Sequence, residues 1–124
     1  MRNNYEKDQS KLLNKVRGDV GETIAVNFLK KQGYKIVQTN FKCRVGEIDV
    51  IATKDGVLCF IEVKRRSTLA YGRPIEAVDW HKQNQIRKTA EFYLMLKHKD
   101  YADIRFDVVE ILDDQCTISV DAFR

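Results

Sequence analysis

GEIDVIATKDGVLCFIEVKRR, residues 46–66, reads as two strands and a tight turn. Val and Ile crowd 47–53 and 57–64, and Asp55-Gly56 between them suits a type I′ hairpin turn, which needs positive φ at both central residues. Charges nonetheless stand where a buried sheet should be apolar: Glu47, Asp49, Glu62 and Lys64. With Asp55 and Gly56 as a two-residue loop, Lys54 faces Val57, Asp49 faces Glu62 and Glu47 faces Lys64. Positions 47 and 49 share parity, as do 62 and 64, so all four side chains are expected on one face. Opposed Cβ atoms lie about 4.5–5.5 Å apart, and like charges so placed destabilise a sheet. A divalent cation is the simplest compensation. The bland alternative, a strand ending in solvated charges, is what Glu62-Val63-Lys64 alone favours.

Working outward, residues 1–9 are polar and aperiodic and read as a loose tail, which leaves 10–124 as one domain. From Ser10, a possible N-cap, Leu12, Leu13, Val16, Val20, Ile24, Phe28 and Leu29 recur at helical spacing, and Gly33 suits the left-handed position that ends a helix. Glu22 lies beside this stripe, on the edge shared with Gly18, Ala25 and Leu29. Small residues at Gly18, Gly21 and Ala25 let that edge approach another backbone, although an exposed glutamate is the better reading from pattern alone. Tyr34–Phe41 alternates as a strand, and Lys42–Gly46 is a short basic turn.

Beyond the hairpin, Gly72 and Pro74 mark a loop. A helix is expected from about Pro74 or Asp79 to Lys97, with Val78, Ile86, Ala90, Tyr93 and Leu94 as its apolar stripe and Lys82, Gln85, Arg87 and Lys88 as a basic side. Ile104–Leu112 and Cys116–Ala122 close the chain as a strand and a last short strand around Asp113-Asp114. The order α-β-β-β-α-β-β is that of an α/β domain with a mixed central sheet flanked by helices. Its helical crossover should set strand 104–112 parallel to strand 57–64.

Composition narrows the class without deciding function. The chain has 124 residues, 44% hydrophobic and 32% charged, which fits a folded domain with one core. No apolar run approaches the roughly 18 residues that span a bilayer. The first residues carry no apolar signal core, so a cytoplasmic protein without membrane partners is expected. Cys43, Cys59 and Cys116 follow no CxxC or Cys/His pattern and read as reduced thiols. The net charge of +4 favours a polyanion only where the basic residues cluster.

Asp49 and Glu62 can converge as hard oxygen ligands, with the Val63 backbone carbonyl as a third oxygen. That set suits Mg²⁺ or Mn²⁺ with positions left for water and phosphate. Such an ion activates water and stabilises the charge developing on a phosphodiester, with Lys64 placed to orient the water or neutralise the phosphate. GEIDVIA, CFIEVKRR, YGRPIEAV and RFDVV together closely resemble the YraN family of uncharacterised, nuclease-like bacterial proteins, over about Val20–Val109. That family looks like part of the PD-(D/E)XK nuclease superfamily, near the archaeal Holliday junction resolvases. The resemblance implies a restriction-endonuclease-like α-β-β-β-α-β core. It maps Glu22 to the helix-borne acid, Asp49 to the metal-binding aspartate and Glu62 and Lys64 to the E-x-K pair, which promotes Glu22 to an accessory metal or water ligand.

Arg44, Arg65, Arg66, Arg73 and Lys82 lie near the ends of the hairpin or on segments leaving it and suit phosphate contacts that position DNA without reading its sequence. Glu47 and Tyr71 are accessory candidates. Tyr71 and Trp80 read first as packing residues and second as stacking platforms, and His81 and His98 read as surface residues. The expected function is metal-dependent cleavage of branched or structured DNA, in repair or recombination. The alternative is a nuclease fold that binds nucleic acid or a partner without cutting. Paired cuts at a junction need two active sites, which leaves a homodimer open.

Overall fold

The computed structural model describes residues 20–66, 78–97, 101 and 103–124. Helix α1 covers residues 20–31 of these, followed by strands β1 (Lys35–Cys43), β2 (Gly46–Lys54) and β3 (Val57–Arg66), helix α2 (Trp80–Leu96), and strands β4 (Ile104–Leu112) and β5 (Gln115–Phe123). The strands form one mixed sheet in the order β1-β2-β3-β4-β5, antiparallel except for the parallel pair β3–β4 that the α2 crossover creates. The tail, Ser10, Gly18, Tyr71, Arg73, Pro74 and His98 lie outside the described residues. Among the described residues, no helix is long and apolar enough to cross a membrane.

Asp55 and Gly56 take φ of 51° and 79°, so the hairpin turn is the type its sequence requires. It sets the register inferred from the sequence, with Lys54 opposite Val57 and each rung following to Val50 opposite Ile61. The last strand is longer than expected, running the nine residues from Gln115 to Phe123, because Asp113 and Asp114 both take positive φ and fold β5 tightly onto β4.

Alternation on β3 separates two cores. Leu58 and Phe60 join Phe41, Ile51, Ile86, Ala90 and Tyr93 under α2, whereas Cys59 and Ile61 join Ala25, Leu29, Val50, Ala52 and Val109 under α1. Tyr93 sets its ring edge-on to Phe41 and Phe60, with centroids at 5.1 and 5.8 Å. Asp79 caps α2 by accepting from Lys82 N–H at 2.8 Å. The α1 helix ends in a Schellman motif, with Gly33 at φ 94°, Gly33 N–H on Lys30 O and Tyr34 N–H on Leu29 O.

Two expectations change. The buried edge of α1 is Gly21, Ala25 and Leu29, while Val20 is exposed and Ile24 and Phe28 are half-buried. Small side chains let the helix axis come closer to the sheet, and that close approach outweighs the greater bulk of the Val20–Ile24–Phe28 row. Trp80 does not pack into the core: it is 65% exposed, against His81.

Candidate active site

The described β2–β3 ladder ends at Val50–Ile61, one residue short of the charges. Asp49 Oδ2 instead accepts from the Val63 backbone N–H at 2.8 Å, so a carboxylate takes the place of a ladder carbonyl where the hairpin opens. The cause lies one strand over. Between the β1–β2 rungs Thr39–Val50 and Phe41–Ile48, Asn40 stands across from Asp49, and its φ is 52°. Asparagine tolerates this left-handed conformation better than most residues, and it breaks the alternation of both strands. Ile51 and Ile48 therefore both reach the core under α2, although strict alternation would put them on opposite faces.

This break corrects the expected single face of four charges. Glu47 does not meet Lys64 in the described ladder: it pairs with Lys42 across β1, 3.9 Å apart and exposed. Asp49 and Glu62 do meet, within hydrogen-bonding reach, with Glu62 the donor when protonated. Lys82, from the first turn of α2, lies 3.8 Å from Glu62 Oε1. Lys64 shares the alternation of Glu62 on β3 and acts on it electrostatically.

Both carboxyls resist ionisation. Burial pushes Asp49 above the usual carboxylate range, with the charge of Glu47 adding, while the Val63 N–H and Lys82 oppose it. Burial, and then the charge of Asp49, push Glu62 up to about 7 against Lys82 and Lys64. A divalent cation would relieve both causes at once, and two carboxylates are hard oxygen ligands chemically suited to Mg²⁺ or Mn²⁺. Among the described residues, no three His, Cys, Asp or Glu side chains gather into one cluster. Glu22 stays on α1 and accepts a hydrogen bond from Asn40 Nδ2, which links it to the residue across from Asp49 without bringing it onto the pair.

The arginines divide. Arg65 lies against Gly21 and pairs with Asp114 at 3.7 Å, so it serves the α1 face and not the carboxylate pair. Arg66 shares the alternation of Glu62 and Lys64, and Arg44 is exposed on the β1–β2 turn. Sequence reasoning missed Asn40, whose place in a strand was its only signal, and the direct contact of Lys82 with Glu62.

It also missed a second acid. Asp107 on β4 is fully buried and accepts from Tyr34 OH at 2.9 Å, from Arg105 at 2.9 and 3.0 Å, and from Asp121 N–H at 2.8 Å. Burial and the bond to Asp107 raise the Tyr34 phenol, and burial pushes the Cys59 thiol up to about 11, leaving it inert.

The model of uncharacterised protein family UPF0102, the YraN-like family, matches residues 21–111. A UPF0102 protein of Caldanaerobacter subterraneus is 46% identical over 101 residues, covering 82% of this chain and 83% of its own. One from Caldicellulosiruptor bescii is 49% identical over 98 residues, or 78% and 82% of the two chains. One from Alkaliphilus metalliredigens is 41% identical over 100 residues, or 81% and 88%. The matched span holds Glu22, Asn40, Asp49, Glu62, Lys64, Lys82 and Asp107.

Proposed function

The chain belongs to uncharacterised protein family UPF0102, and from that premise and the geometry of its opened hairpin we propose that it is a metal-dependent nuclease of the PD-(D/E)XK type with a restriction-endonuclease-like core. Its substrate is branched or structured DNA, met in the cytoplasm. One observation carries the reading: Asp49 and Glu62 converge half-buried, both pushed toward the protonated form, where the β2–β3 ladder ends. Paired acids displaced by burial and by each other's charge are the kind of group that functional sites concentrate.

Asp49, Glu62 and the Val63 carbonyl would hold the ion, and Mg²⁺ or Mn²⁺ there supplies an activated water and charge neutralisation at the phosphodiester. The chain itself does the rest. The Val63 N–H fixes the rotamer of Asp49 through Oδ2. Lys82, held at Glu62, and Lys64 present ammonium groups for the non-bridging phosphate oxygens, where negative charge grows during attack. Glu22 is engaged by Asn40 Nδ2 and would have to leave that bond to serve as an accessory ligand.

The test is incubation with labelled four-way junction, flap and duplex DNA, with Mg²⁺, Mn²⁺ or chelator. Metal-dependent cleavage of the structured substrates is expected, with a drop of at least about a hundredfold in Glu62→Ala. Cleavage that persists in chelator, or that Glu62→Ala leaves intact, sinks the proposal.

A further inference from the structure

An open groove of about 530 Å³ runs along the first turns of α2 where the helix packs on the β1–β2 turn. Gly46 makes that packing close: a Cβ there would lie 2.8 Å from both Gln85 Cγ and Thr89 Oγ1. Val45 forms one wall, and His81, Lys82, Gln85 and Lys88 line the helix side. The single acid in the lining, Asp79, already uses its carboxylate to cap the helix at Lys82 N–H. The groove is therefore rich in donors and positive charge, and Lys82 joins it directly to Glu62 at 3.8 Å.

Two further facts narrow what the groove takes. The basic residues of α2 are sorted by face. Arg87 is committed to the chain's own C-terminus, donating to the Arg124 carbonyl at 2.6 Å and lying over the Phe123 ring, with Gln83 beside it. Lys88 makes no ion pair among the described residues and points where His81 and Gln85 point, at spacings of seven, four and three. Trp80 is not part of the lining, but it stands edge-on to His81, which is, with ring centroids 5.6 Å apart; its indole is 65% exposed on the first residue of a capped helix. An exposed indole at the start of a helix whose next turns carry Lys82 and Lys88 into the groove suits a base with its phosphates, because stacking uses a base's π-face and needs that base to be unpaired.

We propose that this groove binds an unpaired DNA strand, with phosphates on Lys82 and Lys88 and a base stacked on Trp80, and leads it to Asp49 and Glu62. The assignment rests on the nuclease reading for its direction and goes beyond it in naming the substrate feature, unpaired nucleotides beside the cut. Duplex DNA keeps its bases stacked on one another and cannot satisfy Trp80.

Trp80 is the chain's one tryptophan, so its emission reports the contact directly. The experiment titrates the full chain, in chelator, with a short single strand and with a duplex of the same sequence. Tryptophan quenching by the single strand and little by the duplex is expected. By anisotropy of labelled strand, Trp80→Ala weakens binding about tenfold while Trp80→Phe retains most of it. Lys88→Gln lowers the slope of log K against log salt by about 0.7, the single-strand value per phosphate contact, and Lys35→Gln, at the far end of the sheet, does not. Unchanged emission at saturation, or equal slopes for Lys88→Gln and Lys35→Gln, overturns the groove. Because no cleavage enters, the two readings fail separately. Quenching without metal-dependent cutting leaves the groove and removes the nuclease, whereas cutting with silent Trp80 does the reverse.

Discussion

Two acidic centres sit on one sheet and have opposite electrostatic designs. Asp107 is fully buried, yet its two oxygens accept from Tyr34, twice from Arg105 and from the Asp121 N–H, which leaves no lone pair idle and no like charge in contact. Asp49 and Glu62 are only half-buried, yet they face one another and draw on one backbone N–H and nearby ammonium groups. Burial alone therefore does not mark a functional acid. What separates the two is whether the surroundings complete the charge. Asp107 is complete within the chain and fixes structure, pinning the β4–β5 irregularity at Asp121, where φ is 53°. The Asp49–Glu62 pair has no such completion: one backbone N–H and the Lys82 and Lys64 charges leave both carboxyls pushed toward the protonated form.

Removing the complete centre should cost most. Asp107→Ala strands the Arg105 guanidinium, whose side chain is 22% exposed, together with Tyr34 OH and Asp121 N–H. Breaking a buried charge pair from one side costs about 3–5 kcal/mol. Urea unfolding should show a loss of that size, whereas a loss under about 1 kcal/mol would mean Asp107 is no structural keystone and erase the contrast.

The incomplete centre should show itself through pH. Burial and the charge of Asp49 push Glu62 in the folded chain up to about 7 from the 4.5 of the free side chain, and Asp49 is displaced in the same direction. The native state thus holds a proton that the unfolded chain releases between these values. This contribution to stability is whole below about pH 4.5 and is lost as pH rises through about 7. Metal-free protein should lose stability across that window by an amount of order 1–3 kcal/mol, and Glu62→Gln should flatten the slope. Thermal melts at pH 5, 6, 7 and 8 measure it, and parallel profiles for wild type and variant would refute the incomplete pair.

How much of this could be read from the chain depended on how local its cause was. The hairpin and its register were legible because Asp55-Gly56 dictates its own turn and each rung follows from it. The meeting of Asp49 with Glu62 followed from that register. The opening of the ladder at Asp49 did not, because its cause is the left-handed Asn40 on another strand, and an asparagine in a β-rich run can also be an ordinary surface residue. The buried edge of α1 was obscured for a different reason: hydrophobicity favours Val20, Ile24 and Phe28, while the depth of packing favours Gly21 and Ala25. Asp107 was illegible because Arg105-Phe106-Asp107 reads as an ordinary strand, and its partners Tyr34 and Asp121 are remote in sequence.

The smallest expected effect tests the incompleteness most directly. Asp49→Asn keeps an amide oxygen to accept from Val63 N–H, so the opened ladder survives while the negative charge goes. Without metal, the variant should be more stable than wild type at pH 8 by about 1 kcal/mol, the scale of one like-charge contact at short range near a protein surface. Glu62 should titrate closer to its free value, since the charge of Asp49 is the second cause of its displacement. Wild type with Mg²⁺ at about a hundred times its dissociation constant should gain about 2.7 kcal/mol, and Asp49→Asn much less. A mutation that stabilises the empty protein and abolishes its response to metal is the signature of an acid kept for a ligand. An Asp49→Asn protein that melts lower than wild type and still responds fully to Mg²⁺ would place Asp49 with Asp107, as a structural acid kept for its bonds within the chain.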